Sequence, residues 1–329
     1  MTNTMSGMSR TAATAAIPAT AAMPATAAIP SIPATPGTPA TASNSASRTG
    51  GGLGGVGLVL GGTLSVQFGS AVAALLFPRV GPFGTVALRV TIAAVLLLAV
   101  CRPRLRGHGR GDWAVAGAFG VALGGMNILF YQAIDRIPLG PAVTLEVLGP
   151  LVLSVVAARR AVSLVWAALA LAGVFLLGRD GFERLDLAGA GFALAAGALW
   201  AAYIVLNSRS GARFPRLDGL VVAMAVAALM SLPLGIAAAG TALLDPGVLA
   251  LGLAVALLSS GLPYALEVLA LRRLPAATFA VLMSLAPAVG ALAGFLVLHQ
   301  TLSAGQCAAI VLVMAASAGA VRTGRAGRA

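Results

Sequence analysis

The chain has 329 residues, of which 59% are hydrophobic and only 9% are charged, and its mean hydropathy is +0.97. A soluble globular protein has roughly a quarter of its residues charged, so these proportions exclude that class. All 21 basic residues are arginines, and nine acidic residues leave a net charge of +12. Nucleic-acid-binding proteins cluster basic residues on a wettable domain, whereas these arginines stand singly or in small groups between long apolar runs. The sequence therefore predicts an all-α polytopic membrane protein without a nucleic-acid partner.

Residues 1–50 differ in composition from the rest of the chain. Residues 11–42 are almost wholly Ala, Thr, Pro, Ile and Met, with a ragged Pro-Ala-Thr repeat after Ile17, Met23 and Ile32. Repeated proline prevents helix formation, so we expect a disordered or polyproline II tail. The segment lacks the continuous apolar core of a signal peptide. A cytosolic tail, a start codon placed too far upstream and an unrecognised targeting segment remain alternatives.

Ten apolar runs follow, each close to the roughly 20 residues that cross a bilayer as a helix. They are 53–77, 82–100, 113–134, 140–158, 161–178, 187–207, 219–239, 247–271, 276–298 and 301–321. The loops between them are short, and no soluble domain fits after residue 50. The divisions between the fourth and fifth runs and between the ninth and tenth are the least certain, because little chain separates them.

The arginine distribution predicts the orientation of these spans through the positive-inside rule. With the N-terminus in the cytosol, only Arg79, Arg136, Arg179 and Arg184 fall on outer segments. Arg89 lies inside the second span, and the remaining sixteen arginines are cytosolic. We therefore expect both termini in the cytosol, which requires an even number of spans.

An internal repeat relates the two halves. Residues 133–138 match residues 270–275, and Pro150 matches Pro287, both at an offset of 137 residues (287 − 150). The third to fifth spans thus resemble the eighth to tenth, and a displacement of five spans makes the copies inverted, as in many transporters. Chance similarity between apolar helices is the alternative. The predicted organisation is a tail (1–50), two five-helix repeats (51–178 and 187–321) and a short basic C-terminal tail (322–329).

Three ionisable side chains lie inside predicted spans: Arg89, Glu146 and Glu267. A charge in hydrocarbon costs about 2.5–3.5 kcal/mol on insertion scales, so such residues are functional candidates. Arg89 and Glu146 both fall about 10 Å below the outer boundary, at 1.5 Å per residue, and could pair. Glu267 lies about 7 Å from the cytosolic boundary, where extension of its side chain to the headgroups is an alternative explanation.

Four spans also carry polar or aromatic residues on one helical face. They are Thr63, Gln67 and Ser70; Asn127 and Tyr131; Trp200, Tyr203 and Asn207; and Ser260, Tyr264 and Glu267. Any one face could reflect hydrogen bonds between helices or aromatic anchoring at the interface. Together with three ionisable groups they favour a shared, water-accessible cavity. Pro150 and Pro287 should kink the fourth and ninth spans there.

Motifs for metal, phosphate or cofactor chemistry are missing from the sequence. His108 and His299 stand apart, Cys101 and Cys307 have no disulfide or zinc spacing, and there is no P-loop. The Gly-x-Gly-x-x-Gly at 52–57 has no preceding strand, so we reject it as a dinucleotide fingerprint. We expect no cofactor and no metal.

Three segments resemble a known family. Residues 143–150 (Val-Thr-Leu-Glu-Val-Leu-Gly-Pro), 264–275 (Tyr-Ala-Leu-Glu-Val-Leu-Ala-Leu-Arg-Arg-Leu-Pro) and 279–287 (Phe-Ala-Val-Leu-Met-Ser-Leu-Ala-Pro) resemble the EamA-type branch of the drug/metabolite transporter superfamily. More narrowly, they are similar to the bacterial threonine/homoserine exporter group. The resemblance covers about 55–321. One departure is Ala286, where family members often have Glu before the proline.

The resemblance implies a secondary active transporter of the bacterial inner membrane that exports small hydrophilic amino acids by proton antiport, and not an enzyme. A zwitterion needs a cation for its carboxylate and an acceptor for its ammonium group. The expected substrate-binding residues are Arg89, Asn127, Tyr131, Glu146, Trp200, Tyr203 and Tyr264. Glu146 and Glu267 are the candidates for proton coupling. The expected partners are this small-molecule substrate, protons and membrane lipid, with a homodimer as an alternative assembly.

Two other functions stay open at this stage. One is efflux of drugs, nucleotide-sugars or other metabolites by the same fold. The other is a membrane enzyme acting on lipid or an isoprenoid, which would generally need a metal or phosphate site. The one acidic cluster, at 179–186, lies on the outer side and lacks the paired carboxylates that would hold Mg²⁺ between helices.

Overall fold

The computed structural model describes residues 48–103, 106–158, 161–179, 186–214, 217–263, 266, 270 and 281–323. These residues form helices and turns, with no β-strand in any of the ranges given. Most of the predicted tail, 1–50, lies outside them, as do residues 324–329 of the C-terminal tail. The fold of the described chain is all-α.

The described residues include eleven α-helices, numbered in chain order. They are α1 (Arg48–Ala74), α2 (Phe77–Cys101), α3 (Arg110–Ile134), α4 (Leu139–Glu146), α5 (Leu148–Ala158), α6 (Ala161–Arg179), α7 (Leu187–Gly211), α8 (Asp218–Ala239), α9 (Pro246–Ala256), α10 (Ala286–Leu298) and α11 (Ala304–Thr323). A 3-10 helix at Gly240–Leu244 joins α8 to α9, and a π-helical segment at Leu257–Gly261 continues α9.

Eight segments of the described chain are long and apolar enough to cross a membrane. Each coincides with one of the ten predicted spans, so the protein is a multi-pass membrane protein. The two other predicted spans, 161–178 and 247–271, fall on the shorter apolar helices Leu164–Leu176 and Pro246–Ser260. The second of these helices continues toward residues that the structure does not describe. The total of ten membrane spans therefore stays a prediction.

Side-chain caps define the starts of two helices on the side predicted to be outer. Asp186 Oδ1 accepts hydrogen bonds from the amides of Ala188 and Gly189 at 2.8 and 3.3 Å. Asp245 Oδ1 caps α9 in the same way, and Pro246 occupies the first helical turn, where the missing N–H costs nothing. Both carboxylates satisfy amides that have no partner within the helix and complement its positive dipole end.

The fourth and ninth predicted spans are each interrupted within one turn of the prolines, Pro150 and Pro287, that are expected to kink them. The chain turns at Val147, between α4 and α5, and again at Ser284 and Leu285, just before α10. Each interruption begins three residues before the proline. Proline 150 cannot donate to the carbonyl of residue 146, four positions earlier, so the helix ends at that point. Val147 and Ser284 are separated by the same 137 residues (284 − 147) that relate the two prolines.

Helix packing pairs the two predicted repeats with each other. Helix α2 packs against α8, α4 against α10, and α6 against α11. Helix α3 lies against α7, and α1 lies against α9 and the π-helical segment. Helix α1 also packs on α10, whereas α7 packs on α4 and α5. The first helix of each predicted repeat therefore lies against the interrupted helix of the other.

Two glycines allow α7 to lie directly on the first interruption. A Cβ atom at Gly197 would overlap the carbonyl oxygen of Glu146, and one at Gly149 would overlap the carbonyl oxygen of Gly197. Two helix backbones can approach this closely only where the residues between them are small, because larger side chains would hold the helices apart. This contact fixes the end of α4, and with it the position of Glu146.

Candidate functional site

A cavity of about 170 Å³ lies where α1, α2, α3, α4, α7, α8, α10 and the π-helical segment converge. Its apolar walls include Val90, Leu123, Phe130 and Met224. Its polar and aromatic lining residues are Thr63, Gln67, Ser70, Arg89, Asn127, Glu146, Trp200, Tyr203, Ser259 and Ser260. All four polar faces identified in the sequence therefore reach this cavity.

Arg89, on α2, is the one basic side chain among the described residues that line the cavity. Its Nη1 donates to the hydroxyl of Tyr131 at 3.0 Å, and its Nη2 donates to the carbonyl oxygen of Ser259 at 3.5 Å. The guanidinium carbon also lies 5.6 Å from the centre of the Tyr131 ring, within the range of a cation–π contact. Because a guanidinium has five N–H donors, these partners orient Arg89 and leave donors for an anion.

Glu146 is the last residue of α4 and lies at the interruption of that helix. Among the acidic residues that the structure describes, it alone contributes to the cavity lining. The ion pairs of the described residues are Arg136–Asp135, Arg136–Asp186 and Arg213–Asp112. Arg89 and Glu146 thus share a cavity, as their common predicted depth indicates, without the direct pairing considered in the sequence analysis.

The remaining predicted binding residues fall into three groups. Asn127, Trp200 and Tyr203 line the cavity, and Asn127 Nδ2 donates to the carbonyl of Leu123 at 2.8 Å, which fixes its amide. Tyr131 is fully buried behind Arg89 and acts on the cavity through it. Tyr264 and Glu267 lie outside the described residues.

The second interruption also borders the cavity. Met283 and Ala286 are both lining residues, and Gln67 Nε2 donates to the carbonyl oxygen of Ala286 at 3.1 Å. Thr63 hydroxyl lies 3.5 Å from the Met283 sulfur. Helix α1 therefore holds this break with polar contacts, while α7 holds the break at Glu146 with a close backbone contact. Ala286 itself adds no carboxylate where the resembled family often has one.

Sequence reasoning missed Ser259. In a regular helix Ser260 and Tyr264 share a face, and Ser259 is rotated away from it by about 100°. In the structure Ser259 and Ser260, neighbours in the π-helical segment Leu257–Gly261, both line the cavity. The sequence carries no strong signal for a π turn, and two adjacent serines close to Pro263 were the available hint.

The cavity has the size and charge for a small zwitterion. A protein cavity of about 150 Å³ admits benzene, and this one is slightly larger. Within the residues that the structure describes, no three His, Cys, Asp or Glu side chains are grouped as metal ligands would be. Most of the acidic loop considered above, 180–185, lies outside that description. The described lining offers one cation, one carboxylate, hydroxyls and amides.

Comparison with known proteins identifies the family. The sequence profile of the EamA-like transporter family matches residues 187–322. The threonine/homoserine exporter RhtA of Salmonella typhimurium strain LT2 is 43% identical over 263 residues, covering 79% of this chain and 88% of that protein. RhtA of Escherichia coli strain K12 is 43% identical over 265 residues, with coverage of 79% and 89%.

A solved structure adds support for the fold alone. One crystal structure of a protein aligns with a TM-score of 0.54 at 20% sequence identity, covering 86% of this chain and all of the other. The identity and coverage of the two exporters confirm the resemblance found in the sequence motifs. The chain belongs to the EamA-like transporter family.

Proposed function

We propose that this protein exports small hydrophilic amino acids, similar to threonine and homoserine, across the bacterial inner membrane in exchange for protons. The observation that carries the proposal is the presence of Arg89 and Glu146 on one cavity wall without a direct ion pair. Support for the substrate class comes from the relatives, which are named threonine/homoserine exporters.

The amino-acid backbone matches the two charges. A carboxylate would bind the guanidinium of Arg89, since a planar fork of N–H donors suits two oxygens. Tyr131 holds that guanidinium from behind through its hydroxyl and ring. The ammonium group would bind Glu146, with the ring of Trp200 as a further cation-binding surface on the same cavity. Asn127 and Tyr203 complete the polar lining.

Proton coupling follows if Glu146 cannot carry a proton and an ammonium group at once. Substrate binding from the cytosol would displace the proton, and protonation from the outer side would release the substrate. We favour Glu146 as the coupling residue because it lines the cavity. The position before Pro287, where family members often have a second glutamate, is Ala286 in this chain. Glu267, outside the described residues, is the alternative.

Alternating access would use the two predicted inverted repeats, 51–178 and 187–321. The interruptions at Val147 and at Ser284 are equivalent under the 137-residue offset, and each lies against the first helix of the other repeat. Helices α2 and α8, which are equivalent in the two repeats, also pack on each other. This reciprocal packing supports an exchange of conformations between the halves around a central site.

The test is efflux of labelled threonine and homoserine from cells that lack other exporters of these amino acids. Wild-type protein should increase efflux, and Glu146→Gln should abolish it while the protein remains folded in the membrane. Asp112→Asn is the matched control, because this carboxylate pairs with Arg213 at 3.3 Å, outside the cavity lining. Failure of the wild-type protein to export any amino acid would shift the assignment to drugs or other metabolites.

A further inference from the structure

A second cavity lies on the side of the helix bundle, away from the candidate site. It has a volume of about 530 Å³ and is formed by α2, α8, the 3-10 helix Gly240–Leu244 and the start of α9. Its lining is aliphatic or glycine apart from two threonines. Ile236, Leu244 and Leu249 belong to the lining and are 54%, 72% and 40% exposed, so the cavity is open at the surface. In a multi-pass membrane protein this surface faces lipid, and we call the cavity the lateral groove.

Two charged side chains stand at one end of the lateral groove. Asp245 directly follows the lining residue Leu244, and Arg79 lies on α2 beside the start of α9; both are exposed. A Cβ atom at Gly247 would lie 3.1 Å from Asp245 Oδ1 and 3.4 Å from Arg79 Nη1, so these two atoms are at most about 6.5 Å apart (3.1 + 3.4). They nevertheless do not form one of the ion pairs of the described residues. A cation and a carboxylate are therefore close together, and both are accessible to a ligand.

The protein uses only part of the binding capacity of these two groups. Asp245 Oδ1 accepts hydrogen bonds from the amides of Gly247 and Val248 at 2.8 and 3.0 Å, which caps α9. The hydrogen bonds of the described residues involve neither Asp245 Oδ2 nor the guanidinium of Arg79. A ligand with one anionic and one cationic group could therefore bind both residues without breaking the cap.

The length of the lateral groove matches the depth of one lipid leaflet. Along α8 the lining extends from Leu232 to Gly240, eight residues or about 12 Å at 1.5 Å per residue. Half of the hydrocarbon core of a bilayer is about 15 Å. Arg79 falls on a segment predicted to be outer, so the charged end lies at the level of the outer head groups. A cavity of about 150 Å³ admits benzene, and the larger volume here is sufficient for an acyl chain.

From this arrangement we infer that the lateral groove binds one phospholipid that has a primary ammonium head group. Its phosphate binds the guanidinium of Arg79, its ammonium group donates to Asp245, and an acyl chain lies in the groove between α2 and α8. A phospholipid with a net negative charge lacks the partner for Asp245. A trimethylated ammonium group has no N–H to donate to the carboxylate. Helix α2 belongs to the first predicted repeat and α8 and α9 to the second, so the bound lipid joins the two repeats and stabilises their packing.

The test measures thermal melting of the purified full-length protein in detergent with added phospholipids. Phosphatidylethanolamine, phosphatidylcholine and phosphatidylglycerol with identical acyl chains are each titrated, because a ligand that binds the folded state raises the melting temperature. For the wild-type protein, phosphatidylethanolamine should reach half of its full effect at a concentration at least about fivefold lower than the other two lipids.

Four variants test the separate parts of the site. Asp245→Asn keeps the helix cap, since Asn caps as well as Asp, and the three lipids should then differ by less than about twofold. Arg79→Gln should weaken all three lipids, and Thr241→Trp, which fills the open side of the groove, should abolish the effect of phosphatidylethanolamine. Arg110→Gln is the control, because it removes an exposed arginine at the start of α3 and should leave the wild-type preference unchanged.

Three results would overturn the inference. They are equal effects of the three lipids on the wild-type protein, a preference for phosphatidylethanolamine that persists in Asp245→Asn, and a preference that persists in Thr241→Trp. None of these measurements depends on the transported substrate, so the proposed function stands or fails separately.

Discussion

The Nη1 atom of Arg89 lies 3.0 Å from the hydroxyl oxygen of Tyr131, and this contact joins α2 to α3 behind the cavity wall. Tyr131 is fully buried, so its ring and hydroxyl keep fixed positions. Arg89 is therefore a positioned cation and not a mobile one. The geometry of substrate binding in our account depends on this pair, because the guanidinium plane determines where a carboxylate can bind.

Tyr131→Phe should weaken substrate binding without removing the cation. A hydrogen bond to a charged group contributes about 1.5–3 kcal/mol, so KM for threonine should rise roughly 10- to 100-fold. The maximal rate should change much less. The measurement is concentration-dependent efflux in proteoliposomes, with thermal melting in detergent to show that the variant is folded. An unchanged KM in a folded variant would contradict the role given to Tyr131.

Substitutions of Arg89 should distinguish the contribution of its positive charge from that of the planar guanidinium group. Arg89→Gln should abolish efflux, and Arg89→Lys should retain a trace, because an ammonium group keeps the charge but cannot form the fork of N–H donors. Arg213→Gln is the control, since Arg213 pairs with Asp112 and does not line the cavity. The measurement is efflux normalised to the amount of protein in the membrane. Full activity of Arg89→Gln would exclude Arg89 as the carboxylate site.

Gly197→Ala should destabilise the protein. The added Cβ would overlap the carbonyl oxygen of Glu146 and force α7 away from the interruption, at a cost of about 1–3 kcal/mol. Gly191→Ala, on the same helix, is the matched control, because its Cβ would meet no atom within 4 Å. Melting temperatures in detergent should fall for the first variant only. Equal melting temperatures would show that the helices separate at no cost.

Single cysteines should report the predicted orientation of the spans. In a background with Cys101→Ser and Cys307→Ser, Thr241→Cys lies at an exposed position between α8 and α9, and Ala212→Cys is exposed between α7 and α8. A membrane-impermeant maleimide added to intact cells stripped of their outer membrane should label position 241. Position 212 should react only after the inner membrane is opened. The reverse pattern would contradict the orientation predicted from the arginines.

Much of the site could be predicted because helical spacing and membrane energetics restrict the options. Thr63, Gln67 and Ser70 recur every three to four residues, which places them on one face, and all three line the cavity. Arg89 and Glu146 could be identified from the sequence because a charged side chain in hydrocarbon is costly and usually has a function. These regularities hold for any straight helix, so the sequence is sufficient to apply them.

The remaining features depend on departures from a regular helix and on side-chain packing. The break at Val147 precedes Pro150 by three residues, because the missing N–H of a proline acts four positions back. Ser259 also lines the cavity, and it lies in a π-helical segment that periodicity does not reveal. Arg89 hydrogen-bonds to Tyr131 and not to Glu146. Which of the two it contacts depends on the relative positions of three helices, and the depth of each residue in the membrane does not determine it.

The central claim is that a proton and an amino acid exchange through the cavity that Arg89 and Glu146 line. The most direct test is efflux of labelled threonine from proteoliposomes with an imposed pH gradient, compared between wild type and Glu146→Gln. We expect a gradient that is acid on the outer side to accelerate wild-type efflux and to have no effect on Glu146→Gln. Efflux that follows the gradient equally in both proteins would contradict it.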